Sequence, residues 1–184
     1  MKYNLDRLID QFEKGYELEY LFFWGSEKSE SGELTQSCLS QWWVSPFIVE
    51  GFEYQTAEHW MMAQKALLFD DKAAFRKIIS ARTPKEAKYF GRQVLNFNED
   101  IWTSQRMEIV VQGNIHKFNQ NKELKHFLIH TGEKILVEAS PFYAVWGIGL
   151  EADHEKAKNP KCWKGLNLLG FALMEVRDQL KGAS

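Results

Sequence analysis

The sequence predicts an α+β fold, rich in helix with a small β-sheet, in a single domain covering residues 1–184. Two patterns predict it. Apolar residues recur every three to four positions through the middle and the C-terminal end, and capping residues precede those runs. Short aromatic and β-branched runs occur at residues 20–24, 38–43, 47–54 and 134–139, bounded by glycine or polar residues. The helical and strand-like segments do not alternate regularly, which favours α+β over a parallel α/β sheet. A chain of 184 residues is long enough to bury a sizeable core, and 45% apolar residues supply it.

The elements follow in order. Leu5, Leu8, Ile9 and Phe12 give a first helix that Gly15 ends, within an N-terminal extension over residues 1–19. Tyr20 to Trp24 reads as a buried strand, and Gly25 to Thr35 as a surface loop. Cys38 to Trp43 and Phe47 to Tyr54 are strand-like, the second broken by a turn at Glu50-Gly51. Thr56 caps a helix running to about Leu68, and Asp70 or Asp71 caps another ending near Ser80. Thr83-Pro84-Lys85-Glu86 has the residues of a capping box, opening a helix that stops at Gly91. Asn98 starts a long helix through Phe118, and Asn121 starts one that closes at Thr131-Gly132. Lys134 to Ala139 is strand-like, a glycine-rich loop covers Trp146 to Gly149, and Leu166 to Leu180 is a final amphipathic helix.

Composition narrows the function. The net charge of −2, with no basic run, excludes a protein that coats duplex nucleic acid and leaves room for a local phosphate pocket. Seven tryptophans fit either core packing or stacking on a planar base. Cys38 and Cys162 stand far apart and outside any C-x-x-C pair, as in a reducing compartment. The start, MKYNLDRLIDQF, lacks the apolar core of a signal peptide, and no run is long enough for a membrane span. A cytoplasmic protein is expected, without membrane contact or an obligate protein partner.

Thr56-Ala-Glu-His-Trp-Met-Met-Ala-Gln-Lys65 is the most informative segment. With Thr56 as N-cap, Glu58 lies in the first turn, where the helix dipole favours its ionised form. Seven residues are almost two turns, so Glu58 and Lys65 share a face about 10 Å apart along the axis. That gap suits a carboxylate at one end of a ribose phosphate and an ammonium at the other. Spacing alone leaves a second reading open, in which Glu58 is an ordinary first-turn glutamate and Lys65 is solvated. In Trp146-Gly-Ile-Gly149, two glycines beside an indole permit close approach of a ligand, or simply make a tight turn. Asn167 can cap the last helix or bond a sugar or base. Arg82, Lys88 and Arg92, around the capping-box helix, are phosphate candidates, with solvation the default for at least two. His126 and His130 have the spacing of a metal pair without a third ligand nearby, and His59 is read as a packed or hydrogen-bonded histidine. No metal and no cofactor are expected.

In order, these pieces resemble the NADAR, or YbiA-like, family from about Phe22 to Leu180. The matching stretches are Leu39-Ser40, Tyr54-Gln-Thr-Ala-Glu-His-Trp60, Gln64-Lys65, Gly91-Arg92, Trp102, Lys117-Phe118, Thr131-Gly132, Leu136-Val-Glu-Ala139, Trp146-Gly-Ile-Gly149, Asn167-x-x-Gly170 and Leu173-Met174-x-x-Arg177. The resemblance implies a helix-rich YbiA-like domain and hydrolysis of N-glycosidic bonds. It implies two substrate classes: phosphoribosyl-aminopyrimidine intermediates of riboflavin synthesis, and ADP-ribosylated guanine, which includes ADP-ribosylated nucleic acid. The glutamate of the family's E-H motif, its catalytic residue, maps onto Glu58. Substrate-binding roles then fall to Lys65, Gln64, Arg92, Trp102, Tyr143, Trp146, Gly147 and Asn167. Lys65 and Arg92 would hold phosphate, while Trp146 and Trp102 would stack on the base. Two departures stand out. The family's S-N-F-Y-P is replaced by Ser40-Gln-Trp-Trp-Val-Ser-Pro46, and Tyr143 occupies the place of an aspartate three residues before the W-G pair. A phenol donates a hydrogen bond or stacks but does not carry a carboxylate's charge at neutral pH. A module that binds ADP-ribose or an NAD derivative without cleaving it is the competing reading.

Overall fold

The computed structural model describes residues 2–31 and 33–182, so Met1, Gly32 and the last two positions of the expected domain lie outside the described residues. The elements run α1 (Leu5–Glu13), β1 (Tyr20–Phe23), β2 (Phe47–Val49), β3 (Phe52–Tyr54), α2 (Ala57–Leu68), α3 (Lys72–Ile79), α4 (Pro84–Gly91), α5 (Glu99–Gln120), α6 (Lys122–His130), β4 (Ile135–Glu138) and α7 (Leu168–Gly182). This is the predicted α+β class. The small sheet is two two-stranded sheets: β1 pairs with β4 in parallel, and β2 with β3 antiparallel.

Backbone packing groups the chain into two compact units, one from Gln41–Lys122 and one from the segments before and after it. In the first unit, α2 packs against α3, α4 and α5. A Cβ added at Gly91 or Gly113 would overlap the side chain of Met62 or Trp60, so α4 and α5 lie close against α2. Caps set the helix starts as predicted: Thr56, Asp71, Thr83 and Asn98 each accept a backbone N–H from their own first turn. Glu86 reaches back one residue further than a capping box requires and accepts from the Arg82 N–H at 2.7 Å. Glu50 and Gly51, both at positive φ, turn β2 into β3.

In the second unit, β4 lies between β1 and α7, and its Leu136 and Val137 are fully buried. Arg177 is buried there, donating to Thr131 Oγ1 at 2.9 Å and to the Lys134 carbonyl at 2.8 Å. Two expectations fail in this unit and at its edge. Cys38 to Trp43 is no strand: Gln36–Leu39 is a 3-10 turn whose Cys38 and Leu39 are fully buried. A short apolar run records burial without recording period, so a buried turn and a buried strand read alike. Trp24 falls outside β1 and is half exposed. No helix among the described residues is long and apolar enough to cross a membrane.

Candidate active site

Glu58 sits in the first turn of α2 and is 3% exposed. The local sequence puts it there. Thr56 Oγ1 accepts from the His59 N–H and bonds His59 Nδ1 at 2.8 Å, while His59 Nε2 donates to the Ala81 carbonyl at 3.2 Å. His59 is thus the packed, hydrogen-bonded histidine expected, and burial lowers its pKa. The Glu58 N–H donates to the Gln41 carbonyl at 3.0 Å, and Gln41 is fixed in turn by Asn114, whose Nδ2 donates to its side-chain oxygen at 2.9 Å.

The Glu58 carboxyl accepts a hydrogen bond from the Trp42 side chain, and its Oε1 has no partner among the described residues. Burial pushes its pKa up to about 7, against the opposing pull of Lys88, Trp42 and Arg92. This corrects the expectation of a carboxylate held ionised by the helix dipole. A first-turn glutamate in water gains from the dipole, but removing the charge from water costs more than the dipole and two cations return.

Lys65 is half-buried. Its Nζ lies 4.1 Å from the Phe97 ring centroid and 5.6 Å from that of Trp102. Burial lowers its pKa, Glu99 opposes that shift, and Arg92 adds to it. Lys65 is therefore not the freely solvated lysine of the blander reading. Trp102 is buried with the ammonium over its ring, so it supports Lys65 rather than offering an open stacking wall. Gln64 bonds the Tyr54 phenol. Arg92, exposed at the C-cap of α4, lies four residues after Lys88, whose Nζ is 5.6 Å from the Trp42 ring centroid. Residues four apart share a helix face, and this spacing was the available signal that Lys88 and Arg92 act together. Sequence reasoning missed Trp42 and Phe97, and left Lys88 among candidates mostly assigned to solvent.

The remaining predicted residues belong to the other unit. Tyr143 is 36% exposed and Trp146 is half-buried. Gly147 is buried, and a Cβ on it would lie 2.7 Å from the Glu138 carbonyl oxygen. The close approach it permits is to β4. Ile148 N–H donates to that same carbonyl at 2.9 Å, which ties the glycine loop to the strand. Asn167 is fully buried at φ 52°, with Oδ1 accepting from the Glu138 N–H at 3.0 Å and Nδ2 donating to the Leu136 carbonyl at 2.9 Å. Both ends of its amide bond β4, which gives Asn167 a structural role. His126 and His130 rings lie 3.8 Å apart, and His130 Nδ1 donates to the His126 carbonyl. Among the described residues no group of three or more His, Cys, Asp or Glu is placed to hold a metal ion.

The model of the NADAR domain matches residues 22–181. The chain belongs to the NADAR family. Among curated relatives, N-glycosidase R617 of Acanthamoeba polyphaga mimivirus is 42% identical over 166 residues, covering 88% of this chain and 96% of that one. N-glycosidase YbiA of Escherichia coli (strain K12) is 32% identical over 135 residues, covering 73% and 76%. The riboflavin biosynthesis protein PYRR of Zea mays is 31% identical over 138 residues, which is 71% of this chain and 20% of that protein. The NMR structure of E. coli YbiA matches with a TM-score of 0.69 at 28% identity, covering 91% of this chain and 88% of that one. The NADAR fold and the helix-rich α+β architecture therefore agree.

Proposed function

We propose that this chain is an N-glycosidase, a hydrolase acting on N-glycosyl compounds, and that it cleaves the bond between a base and a phosphorylated ribose with Glu58 as its catalytic residue. The observation that carries the reading is the buried Glu58 carboxyl, poised near neutrality beside Lys88 and Arg92.

As the C1′–N bond breaks, the electron pair leaves with the base and the sugar becomes oxocarbenium-like. An anionic Glu58 stabilises that cation and takes a proton from the attacking water, whose oxygen bonds C1′. The leaving nitrogen gains a proton, so water is divided between the two products. A carboxyl with pKa near 7 is a stronger base than an ordinary carboxylate and is still ionised in about half the molecules at neutrality. Lys65 and Arg92 are the groups we assign to the phosphate. Lys88 joins them, because its charge reaches the same carboxyl. A carboxyl held near neutrality suits a general base, so we favour an enzyme over a binding module.

Two substrates fit this chemistry: a phosphoribosyl-aminopyrimidine of riboflavin synthesis, and guanine carrying ADP-ribose. The riboflavin name of the maize relative supports the first. Tyr143, in place of the family's aspartate, supports the second. A cytoplasmic location belongs to the same reading, supported by Cys38 and Cys162 standing as thiols rather than in a disulfide. Incubating the protein with each compound and following base release by chromatography tests the reading. Release from either supports it, and tight binding with no release at high enzyme concentration overturns it in favour of a module.

A further inference from the structure

We propose that Trp42 is a positioning residue for Glu58: its indole N–H holds one carboxyl oxygen and leaves the buried Oε1 as the oxygen with no hydrogen-bond partner among the described residues. This rests on the glycosidase reading above. Residue 42 follows an anchored neighbour. Its neighbour Gln41 accepts from the Glu58 N–H through its main chain and from Asn114 through its side chain, and Asn114 Nδ2 also donates to the Val110 carbonyl at 2.8 Å. Two elements, α2 and α5, thus pin the backbone from which the indole projects. Indole is a donor only, so it bonds the carboxyl without competing for its proton.

The ring serves a second contact. Lys88 Nζ stands 5.6 Å from its centroid, so one side chain binds the carboxyl by its edge and places a cation nearby by its face. The charged groups acting on Glu58 are Lys88 and Arg92, both from α4. His59, next in the chain, directs its ring at Thr56 and Ala81 instead. A phenylalanine at position 42 keeps an aromatic face for Lys88 and deletes the N–H together with the pyrrole part of the indole. That makes Trp42→Phe the discriminating variant.

Two measurements test it. Removing a donor to the ionised form raises a carboxyl's pKa, here by about one unit. Side-chain carboxyl titration by 13C NMR, with Glu58→Gln assigning the resonance, should show that rise directly. The acid limb of kcat should rise by about the same amount. That lowers kcat roughly fivefold near pH 7, with the gap closing at alkaline pH and KM changing less than about twofold. Gln41→Ala, which frees the anchor and keeps the indole, should move the titration in the same direction. Titration and pH profiles identical to the parent protein in both variants would overturn the role of Trp42. If Glu58→Gln released base at near the parent rate, the catalytic role of Glu58 would fail by itself, and if the parent released no base the glycosidase reading would fail; in either case the NMR titration would continue to report on the Trp42 bond.

Discussion

Lys65 Nζ sits 4.1 Å from the centroid of the Phe97 ring, in a half-buried position where its charge is disfavoured by burial. A protein keeps an ammonium in such a place at some cost, and an anionic ligand would offset it. Replacing Lys65 by Met retains the apolar stem over the rings and removes the charge. We expect thermal stability unchanged or slightly higher, and KM for a phosphorylated substrate raised about tenfold or more with a smaller effect on kcat. Steady-state kinetics with phosphorylated and dephosphorylated substrates checks this, since only the former should discriminate the variant.

Burial of Glu58 has a consequence for stability. Its folded pKa of about 7 lies above the ordinary value of 4.5, so the folded state binds more protons than the unfolded state between those limits. Stability from this group is therefore full at low pH and declines as pH rises from about 4.5 to 7. Glu58→Gln removes the penalty. It should raise Tm relative to the parent near pH 8, by an amount equivalent to roughly 3 kcal/mol, and show little advantage near pH 4. Melting curves across that range decide, and a Tm difference independent of pH would contradict the burial account.

The pH dependence of catalysis follows from the same group with the opposite sign. If the ionised carboxyl is the active form, kcat/KM rises with pH through an apparent pKa of about 7 and then levels. A profile already flat from about pH 5 upward would mean that Glu58 titrates as an ordinary carboxyl.

Asn167 should behave as a structural residue. Its amide closes two hydrogen bonds on β4, and its backbone occupies the left-handed region that asparagine tolerates better than alanine. Asn167→Ala should cost about 3 kcal/mol, lowering Tm by about 10 °C, without altering KM in the molecules that remain folded. Unchanged Tm with a raised KM would assign Asn167 to ligand binding instead.

Much of the fold was legible because its signals are local. Thr56, Asp71 and Asn98 announce helix starts through bonds made within their own first turns, and Glu50-Gly51 announces a hairpin through its backbone preference. The run at Cys38 to Trp43 was misread because only tertiary packing decides between a buried turn and a strand. The site divides in the same way. Glu58, Gln64, Lys65, Arg92 and Trp102 were named from residue type, spacing and family pattern, and all lie in the Gln41–Lys122 unit. The partners that set their chemistry come from elsewhere in that unit: Trp42 from the loop before β2, Lys88 from α4 and Phe97 from the loop before α5. No periodicity in a single sequence encodes contacts between segments so far apart, and no local rule shows that a first-turn glutamate is buried.

The most direct test compares base release by the parent protein and by Glu58→Gln in single turnover with saturating enzyme, on whichever of the two substrates the parent cleaves. The amide keeps the shape of the side chain and removes its negative charge, so the account predicts a rate lower by at least about a thousandfold with substrate still bound. A variant that releases base within about tenfold of the parent rate would contradict it, because the anion would then contribute little to the reaction.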